Sequence, residues 1–198
     1  MSKNKNSHYD NKVVLKPWGN EHVIYRNSNK LSVTFLNIDY KKSTSLHCHP
    51  KKKTGFVILS GNASVQLGLW KDNCKIYKAP SKLMIRNRLF HSIKSLSKKG
   101  ICLLEIETPS DKKDLVRFKD SYGREKKPYE SLKFTKEISK DDIVFKKTKT
   151  KTKVVQKYNF SNRVELSLET HKDFRKINKE RMETIFAIVN GEIIDHHN

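Results

Sequence analysis

Short apolar segments separated by turn residues recur between residues 13 and 106, and this spacing limits the fold more than any other feature of the sequence. The segments are rich in β-branched and aromatic residues and follow one another about every 8–12 positions. No segment of helix length shows an apolar stripe with the period of an α-helix. The pattern therefore predicts an all-β sandwich or barrel.

Two of these segments illustrate the expected local structure. Residues 31–40 alternate apolar and polar side chains, which is typical of a strand buried on one face only. Val13-Val14-Leu15 is a shorter apolar strand, and Lys16 to Glu21 is expected to form a turn because it contains Pro17 and Gly19.

Two histidines stand in one predicted strand, Ser45-Leu46-His47-Cys48-His49-Pro50. Alternate side chains of a strand face the same way, so His47 and His49 are expected to point together. His91 lies in another predicted strand and offers a third imidazole. Three imidazoles that meet in one place are a suitable ligand set for a divalent metal ion.

The composition excludes some classes of protein and leaves others open. The net charge of +21 attracts polyanions and phosphorylated ligands, but no sequence motif of a nucleic-acid-binding domain accompanies it. We therefore expect no specific nucleic acid partner. No apolar run reaches membrane-spanning length, and the three cysteines form no CxxC pair. These features indicate a soluble, cytoplasmic protein without a membrane partner.

The carboxy-terminal part of the chain resembles the first part at an offset of 130 residues. In this register Ile177 and Lys179 stand opposite His47 and His49, so the second copy lacks the histidine pair. It is also too short to close its own barrel, and we expect it to dock onto the first domain or onto a partner subunit. The matching segments are 143–146 with 13–16, 166–170 with 36–40, and 184–191 with 54–61.

These patterns divide the chain into four parts. Residues 1–12 are expected to be a disordered tail, residues 13–125 a metal-binding domain, residues 126–142 a linker and residues 143–198 a partial repeat without metal ligands. Within the repeat, lysine and threonine alternate from Lys146 to Lys153, which indicates an edge strand kept soluble by its lysines.

The motifs of residues 47–91 resemble those of the cupin superfamily, whose members are small β-barrels or jelly rolls. The first cupin motif is His-x-His, a Glu after four further residues and a Gly after six more. His47, His49, position 54 and Gly61 keep this spacing, and His91 corresponds to the histidine of the second motif. The resemblance implies a cupin jelly-roll barrel followed by a partial, degenerate second cupin-like repeat.

More narrowly, the chain resembles the cupin domain of type II mannose-6-phosphate isomerases, which are often fused to mannose-1-phosphate guanylyltransferases. These domains begin with Lys-Pro-Trp-Gly-x-Glu, as residues 16–21 do. Their terminal motif is echoed by Lys113-Asp114-Leu115-Val116-Arg117 and by Asp120-Ser121-Tyr122-Gly123-Arg124. The resemblance implies a small phosphorylated sugar as substrate and places Arg117 and Arg124 near the barrel mouth.

The chain departs from this family at two positions. Thr54 stands where the relatives have a metal-binding Glu, and His47 stands where the isomerase-type cupins often have Gln. The implied ligands are therefore the three histidines His47, His49 and His91. Imidazole ligands favour zinc, iron(II) or nickel over manganese.

Aldose–ketose isomerisation needs a polarised carbonyl, a proton acceptor and a clamp for the phosphate group. Glu105 and Glu107 share one face of a predicted strand and are the candidate catalytic bases. Cationic residues close to the histidines or in the terminal motif are the candidate phosphate ligands, namely Arg86, Arg88, Lys53 and Arg124.

Three functions remain open at this point. The first is a sugar-phosphate isomerase or epimerase that serves polysaccharide precursors, working as a homodimer. The second is an iron(II) dioxygenase with three histidine ligands, which Thr54 favours. The third is a cupin without catalytic activity that binds a sugar phosphate or a sugar nucleotide. Whether the protein is an enzyme is left open.

Overall fold

The structure is a computed structural model of the chain, and it describes residues 11–124, 132–146, 155–160, 164–171 and 184–191. Within these ranges the regular structure is antiparallel β-sheet apart from a single 3₁₀ turn, Leu132–Phe134. No helix of the described ranges is long and apolar enough to cross a membrane. The strands are β1 (Lys12–Lys16), β2 (Gly19–Asn27), β3 (Leu31–Ile38), β4 (Leu46–Cys48), β5 (Lys53–Ser60), β6 (Asn62–Leu67), β7 (Cys74–Lys78), β8 (Ser81–Ile85), β9 (His91–Ser95), β10 (Ile101–Thr108), β11 (Val116–Lys119), β12 (Thr135–Glu137), β13 (Val155–Asn159) and β14 (Glu165–Glu169).

Two sheets form the barrel. The larger sheet has the strand order β12-β1-β2-β3-β10-β5-β8, and the smaller sheet has the order β11-β4-β9-β6-β7. β13 and β14 pair only with each other among the described residues. The all-β fold predicted from the spacing of the apolar segments is confirmed.

The inner faces of the two sheets meet in an aliphatic core at one end of the barrel. Ile58, Val65 and Leu103 are fully buried there, together with neighbours from both sheets. At the other end the inner faces carry polar side chains instead, including His91 and Glu107. This change from apolar to polar residues along the same strands leaves room for a site.

Strand β2 is longer than the sequence suggests. Its first residue, Gly19, follows a two-residue turn at Pro17 and Trp18, so the predicted turn is real but ends three residues early. Gly19 has φ +141°, and a Cβ atom there would lie 2.1 Å from the carbonyl oxygen of Asn37 on β3. Only glycine allows the two strands to approach so closely.

Strand β3 was predicted to be buried on one face, and the structure shows burial on both. Leu36 faces the barrel core, whereas Phe35 faces outward and belongs to a second apolar cluster. That cluster includes Phe145 and Leu166 from the carboxy-terminal part, and Phe160 stacks on Phe35 with ring centroids 6.2 Å apart. The outer face is therefore covered by residues distant in the sequence.

The domain boundaries differ from the expected ones. The expected linker, residues 126–142, contributes β12 in its described part, and β12 pairs with β1 at the sheet edge. Lys12, assigned to a disordered tail, lies in β1 and forms an ion pair with Glu137. Residues 1–10 of that tail lie outside the described residues.

The described residues give the second repeat little support. Of the three matching segments, only 166–170 overlaps a strand, β14, whereas 143–146 and 184–191 lie outside any strand. Phe145 and Val189 pack against the outer face of the larger sheet, in the same apolar cluster as Phe35. The expected lysine-rich strand lies outside the described residues apart from Lys146.

Candidate metal centre

Three histidines converge at the polar end of the barrel. His47 on β4 and His91 on β9 are direct cross-strand partners, and His49 lies one residue beyond the end of β4. Their ring centroids are 4.5 Å apart for His47 and His91, 5.0 Å for His47 and His49, and 5.5 Å for His49 and His91. One nitrogen of each ring lies within 4.8 Å of one nitrogen of each of the others.

Backbone carbonyls fix the tautomer of all three rings. The Nδ1 of His47 donates to the carbonyl oxygen of Ser45 at 2.8 Å. The Nδ1 of His49 donates to that of Asp114 at 2.6 Å, and the Nδ1 of His91 to that of Leu89 at 2.9 Å. A carbonyl can only accept, so each Nδ1 carries the proton and each Nε2 keeps its lone pair. In the described residues the buried Nε2 atoms of His49 and His91 have no hydrogen-bond partner.

The three rings are neutral near neutral pH. Burial lowers the pKa of His47 well below its ordinary value, lowers that of His49 to about 4 and lowers that of His91 as well. Repulsion from the neighbouring imidazoles lowers the pKa of His47 further. Repulsion from the Lys52 ammonium lowers the pKa values of His49 and His91 further. Neutral imidazoles whose Nε2 lone pairs converge are the donor set that a divalent cation requires, so the residues present fit such an ion.

Two carboxylates face the histidines from the larger sheet. Glu105 and Glu107 are two residues apart on β10, so both side chains point into the barrel. One carboxylate oxygen of Glu105 and one of Glu107 lie within 4.8 Å of each other, and both lie within 4.8 Å of a ring nitrogen of His49. The sequence prediction that these residues share one face near the histidines therefore agrees with their positions.

The surroundings of the two carboxylates are different. Glu107 accepts a hydrogen bond from the ammonium of Lys52, lies 3.5 Å from the Nζ of Lys112 and accepts a 3.3 Å hydrogen bond from the hydroxyl of Ser32. No described residue donates a hydrogen bond to the carboxylate of Glu105 or forms an ion pair with it, although this residue is only 9% exposed.

These surroundings move the two pKa values in opposite directions. Burial, and then the negative charge of Glu107, raise the pKa of Glu105 to about 8. Burial alone would also raise the pKa of Glu107, but the positive charges of Lys112 and Lys52 outweigh it and lower this pKa to about 2. Near pH 7, and without a bound cation, Glu107 is ionised and Glu105 is mostly protonated.

A cavity opens beside His47 and His49, and cationic side chains outnumber acidic ones in its wall. Two of them, Lys52 and Arg124, are buried, and Arg124 makes a two-point contact with Asp120 at 2.9 and 2.7 Å. The cationic residues of the lining are Lys16, Lys52, Lys112, Arg117 and Arg124, against the acidic residues Glu21, Glu105 and Glu107.

The structure brings only one of the four predicted phosphate ligands to this cavity. Arg124 lines it, as does Arg117, which was expected near the barrel mouth. Arg86, Arg88 and Lys53 lie outside the lining.

Sequence reasoning did not select three cationic residues of the lining. Lys16 stands in the Lys-Pro-Trp-Gly segment, which was a usable signal, whereas Lys112 stands in a polar loop without one. The third is Lys52, for which the neighbouring Lys53 was selected, yet Lys52 is 2% exposed and lines the cavity, whereas Lys53 does not.

Thr54 occupies the interior position that the motif spacing indicates. It is 1% exposed, lies opposite Glu107 in the register of β5 and β10, and its hydroxyl oxygen has no hydrogen-bond partner among the described residues. A threonine hydroxyl is a poor cation ligand, so this position gives the site no carboxylate.

The chain matches a known protein family over more than half of its length. The family model described as mannose-6-phosphate isomerase C-terminal matches residues 3–120. None of the curated protein sequences matches the chain.

Solved structures of similar fold share little sequence with it. A Klebsiella pneumoniae protein with a double-stranded β-helix domain is 15% identical, with a TM-score of 0.42 over 46% of this chain and 72% of its own. KdgF from Halomonas is 11% identical, with a TM-score of 0.44 over 49% and 85%. The oxalate decarboxylase of Lactobacillus farciminis, in a formate complex, is 16% identical, with a TM-score of 0.47 over 54% and 33%.

Proposed function

Because the chain belongs to the family of mannose-6-phosphate isomerase C-terminal domains, we propose that it is a metal-binding cupin that acts on a sugar phosphate, as an aldose–ketose isomerase or epimerase. One observation carries this proposal. His47, His49 and His91 are neutral and have ring nitrogens within 4.8 Å of one another, and the cavity beside His47 and His49 is lined by more cationic than acidic residues.

The histidines are the residues that would hold the cation. His47, His49 and His91 are each oriented by a carbonyl at Nδ1, which is the usual support for a metal-binding imidazole. A divalent ion bound there would polarise a sugar carbonyl as a Lewis acid. Zinc, iron(II) and nickel are the ions that imidazole ligands alone favour.

The cationic wall supplies the binding energy for a phosphate group. Arg117 and Arg124 come from the terminal motif of the family, and Lys16 and Lys112 face the same cavity. Guanidinium groups suit phosphate because their planar donors match two of its oxygens, and the surrounding positive potential draws anions inward.

Glu105 and Glu107 are the candidates for the proton transfer that isomerisation requires. Both reach the cavity from β10, and both lie beside His49. Their opposite pKa shifts give the pair one protonated and one ionised member near neutral pH, which is a common arrangement for acid–base chemistry.

The test is an NMR assay for the interconversion of mannose 6-phosphate and fructose 6-phosphate. The protein is loaded in turn with zinc, iron(II), nickel and manganese. Interconversion that is lost in His91→Ala and kept in His171→Ala supports the proposal, because His171 is exposed and lies outside the site. Binding of the sugar phosphates without conversion by any loaded form contradicts the isomerase and supports a binding protein.

An oxygenase is a second candidate, favoured by the same three neutral histidines without a carboxylate at position 54. Stoichiometric iron in the purified protein together with uptake of O₂ would support it. Retention of zinc or nickel and no O₂ uptake by the iron-loaded protein would contradict it.

A further inference from the structure

Glu105 is a buried carboxylate for which the described part of the chain provides no partner. It is 9% exposed, and no described residue donates a hydrogen bond to its oxygens or pairs with its charge. Glu105 lines the cavity beside His49, within 4.8 Å of a ring nitrogen of that residue. A carboxylate that no described ammonium or guanidinium group occupies, placed beside a histidine of the cluster, is suited to bind a cation held there.

Glu107 does not share this property. Lys52 and Lys112 neutralise its charge, and Ser32 donates a further hydrogen bond. A carboxylate held by two ammonium groups is poorly suited to bind a further cation. Of the two carboxylates beside the histidines, Glu105 is thus the one available as a ligand.

The geometry links Glu105 to the histidine cluster through His49. One nitrogen of His49 lies within 4.8 Å of nitrogens of His47 and His91, and a nitrogen of the same ring lies within 4.8 Å of a Glu105 oxygen. The terminal torsion of a glutamate side chain is soft, so the carboxylate can turn an oxygen towards the cation position beside His49.

The register explains how a carboxylate can be supplied from another strand. Position 54 on β5 lies opposite Glu107, and Glu105 lies one row further along β10, opposite Phe56. Both rows face the interior, which places the Glu105 side chain beside the position where the relatives have their glutamate.

We propose that Glu105 takes over the role of the carboxylate missing at position 54 and is the fourth protein ligand of the cation. This inference rests on the metal site of the proposed function and concerns residues of this chain alone. A carboxylate among the ligands makes the site more favourable for harder ions, so manganese and iron(II) bind better than they would to three histidines. Glu107 then remains as the carboxylate of the cavity that the cation does not bind.

The test is calorimetric titration of the metal-free chain with Mn²⁺, comparing Glu105→Gln with Glu137→Gln, whose carboxylate is exposed and lies outside the cavity lining. Loss of a direct ligand is expected to weaken binding at least as much as loss of an orienting residue, which is typically about 10–100-fold. We expect at least about tenfold weaker binding for Glu105→Gln and wild-type affinity for Glu137→Gln.

Thermal unfolding gives a second readout. Metal-free Glu105→Gln should unfold at the temperature of the metal-free wild type or above it, because it loses no partner, while its stabilisation by Mn²⁺ should largely disappear. The Mn²⁺ EPR spectrum should change in Glu105→Gln and not in Glu137→Gln.

The outcomes separate this inference from the proposed function. Mn²⁺ affinity that is lost in His91→Ala but unchanged in Glu105→Gln overturns the role of Glu105 and leaves the histidine site standing. A wild-type chain that binds no divalent cation overturns both.

Discussion

His47 and His91 face each other directly across β4 and β9, with their ring centroids 4.5 Å apart, although four strands separate them along the chain. The antiparallel register makes this contact, and His49 joins it from the residue after β4. The closure of the barrel thus assembles a donor set that no local segment contains.

Lys52→Met is expected to destabilise the protein strongly. Lys52 is 2% exposed and donates to the buried Glu107, and removal of one partner from a buried ion pair typically costs about 3–5 kcal/mol. Because Lys112 still faces Glu107, we expect about 3 kcal/mol in the free energy of unfolding, measured by urea denaturation.

The neighbouring lysine provides the control for this substitution. Lys53 is exposed, so Lys53→Met should change the free energy of unfolding by less than about 0.5 kcal/mol. Equal effects of the two substitutions would contradict the burial of Lys52 beside Glu107.

The buried histidines make the metal-free fold sensitive to acid. The pKa of His49 is about 4 in the folded protein and near 6.5 when unfolded, so only the unfolded state takes up a proton between these values. The contribution of neutral His49 to the free energy of unfolding is fully present above pH 6.5 and is lost as the pH falls to about 4. For His49 alone the loss amounts to about 3 kcal/mol.

Comparison with variants isolates this contribution. In the presence of a chelator, the difference in free energy of unfolding between wild type and His49→Gln should change by about 3 kcal/mol between about pH 7 and about pH 4. His171→Gln, at an exposed position, should show no such change. A difference for His49→Gln that is independent of pH would argue against burial of its neutral form.

Restoring the family glutamate should strengthen metal binding. Thr54→Glu places a carboxylate at a buried interior position whose present hydroxyl has no partner among the described residues, and we expect Zn²⁺ affinity to rise. Thr54→Val has a similar volume and adds no ligand, so its affinity should equal that of wild type. Unchanged affinity in Thr54→Glu would place position 54 outside the reach of the cation.

Gly19→Ala is expected to lower the melting temperature because two effects coincide there. The backbone has φ +141°, and the added Cβ would lie 2.1 Å from the carbonyl oxygen of Asn37. The backbone strain alone costs about 1–3 kcal/mol. Gly123 also has positive φ, but a Cβ atom added there would meet no described atom within 4 Å, so Gly123→Ala should be clearly milder. Similar losses would show that contact with Asn37 is unimportant.

The sequence was informative about features that depend only on the alternation of side chains along a single strand. The histidines could be paired because the alternation of a strand places His47 and His49 on one face. The same rule puts Glu105 and Glu107 together on β10. The resemblance to the cupin motif singled out position 54, and Thr54 is buried there.

The remaining features depend on contacts between distant segments. Nothing in Lys51-Lys52-Lys53 tells which lysine is buried, because Lys52 lies just before β5 and its ammonium contacts Glu107 on β10. Likewise, the outward-facing Phe35 is buried only because Phe160 covers it, and a sequence pattern does not reveal such a cover. Long-range packing decided both cases.

The most direct test of the histidine centre is the Zn²⁺ affinity of His91→Ala, measured by competition with a chelating dye. His91 is 1% exposed, and its Nε2 is one of the three that converge. We predict that affinity falls by at least about 100-fold, beyond the effect of losing an orienting residue, while His171→Ala binds as wild type does. Wild-type affinity in folded His91→Ala would contradict the account.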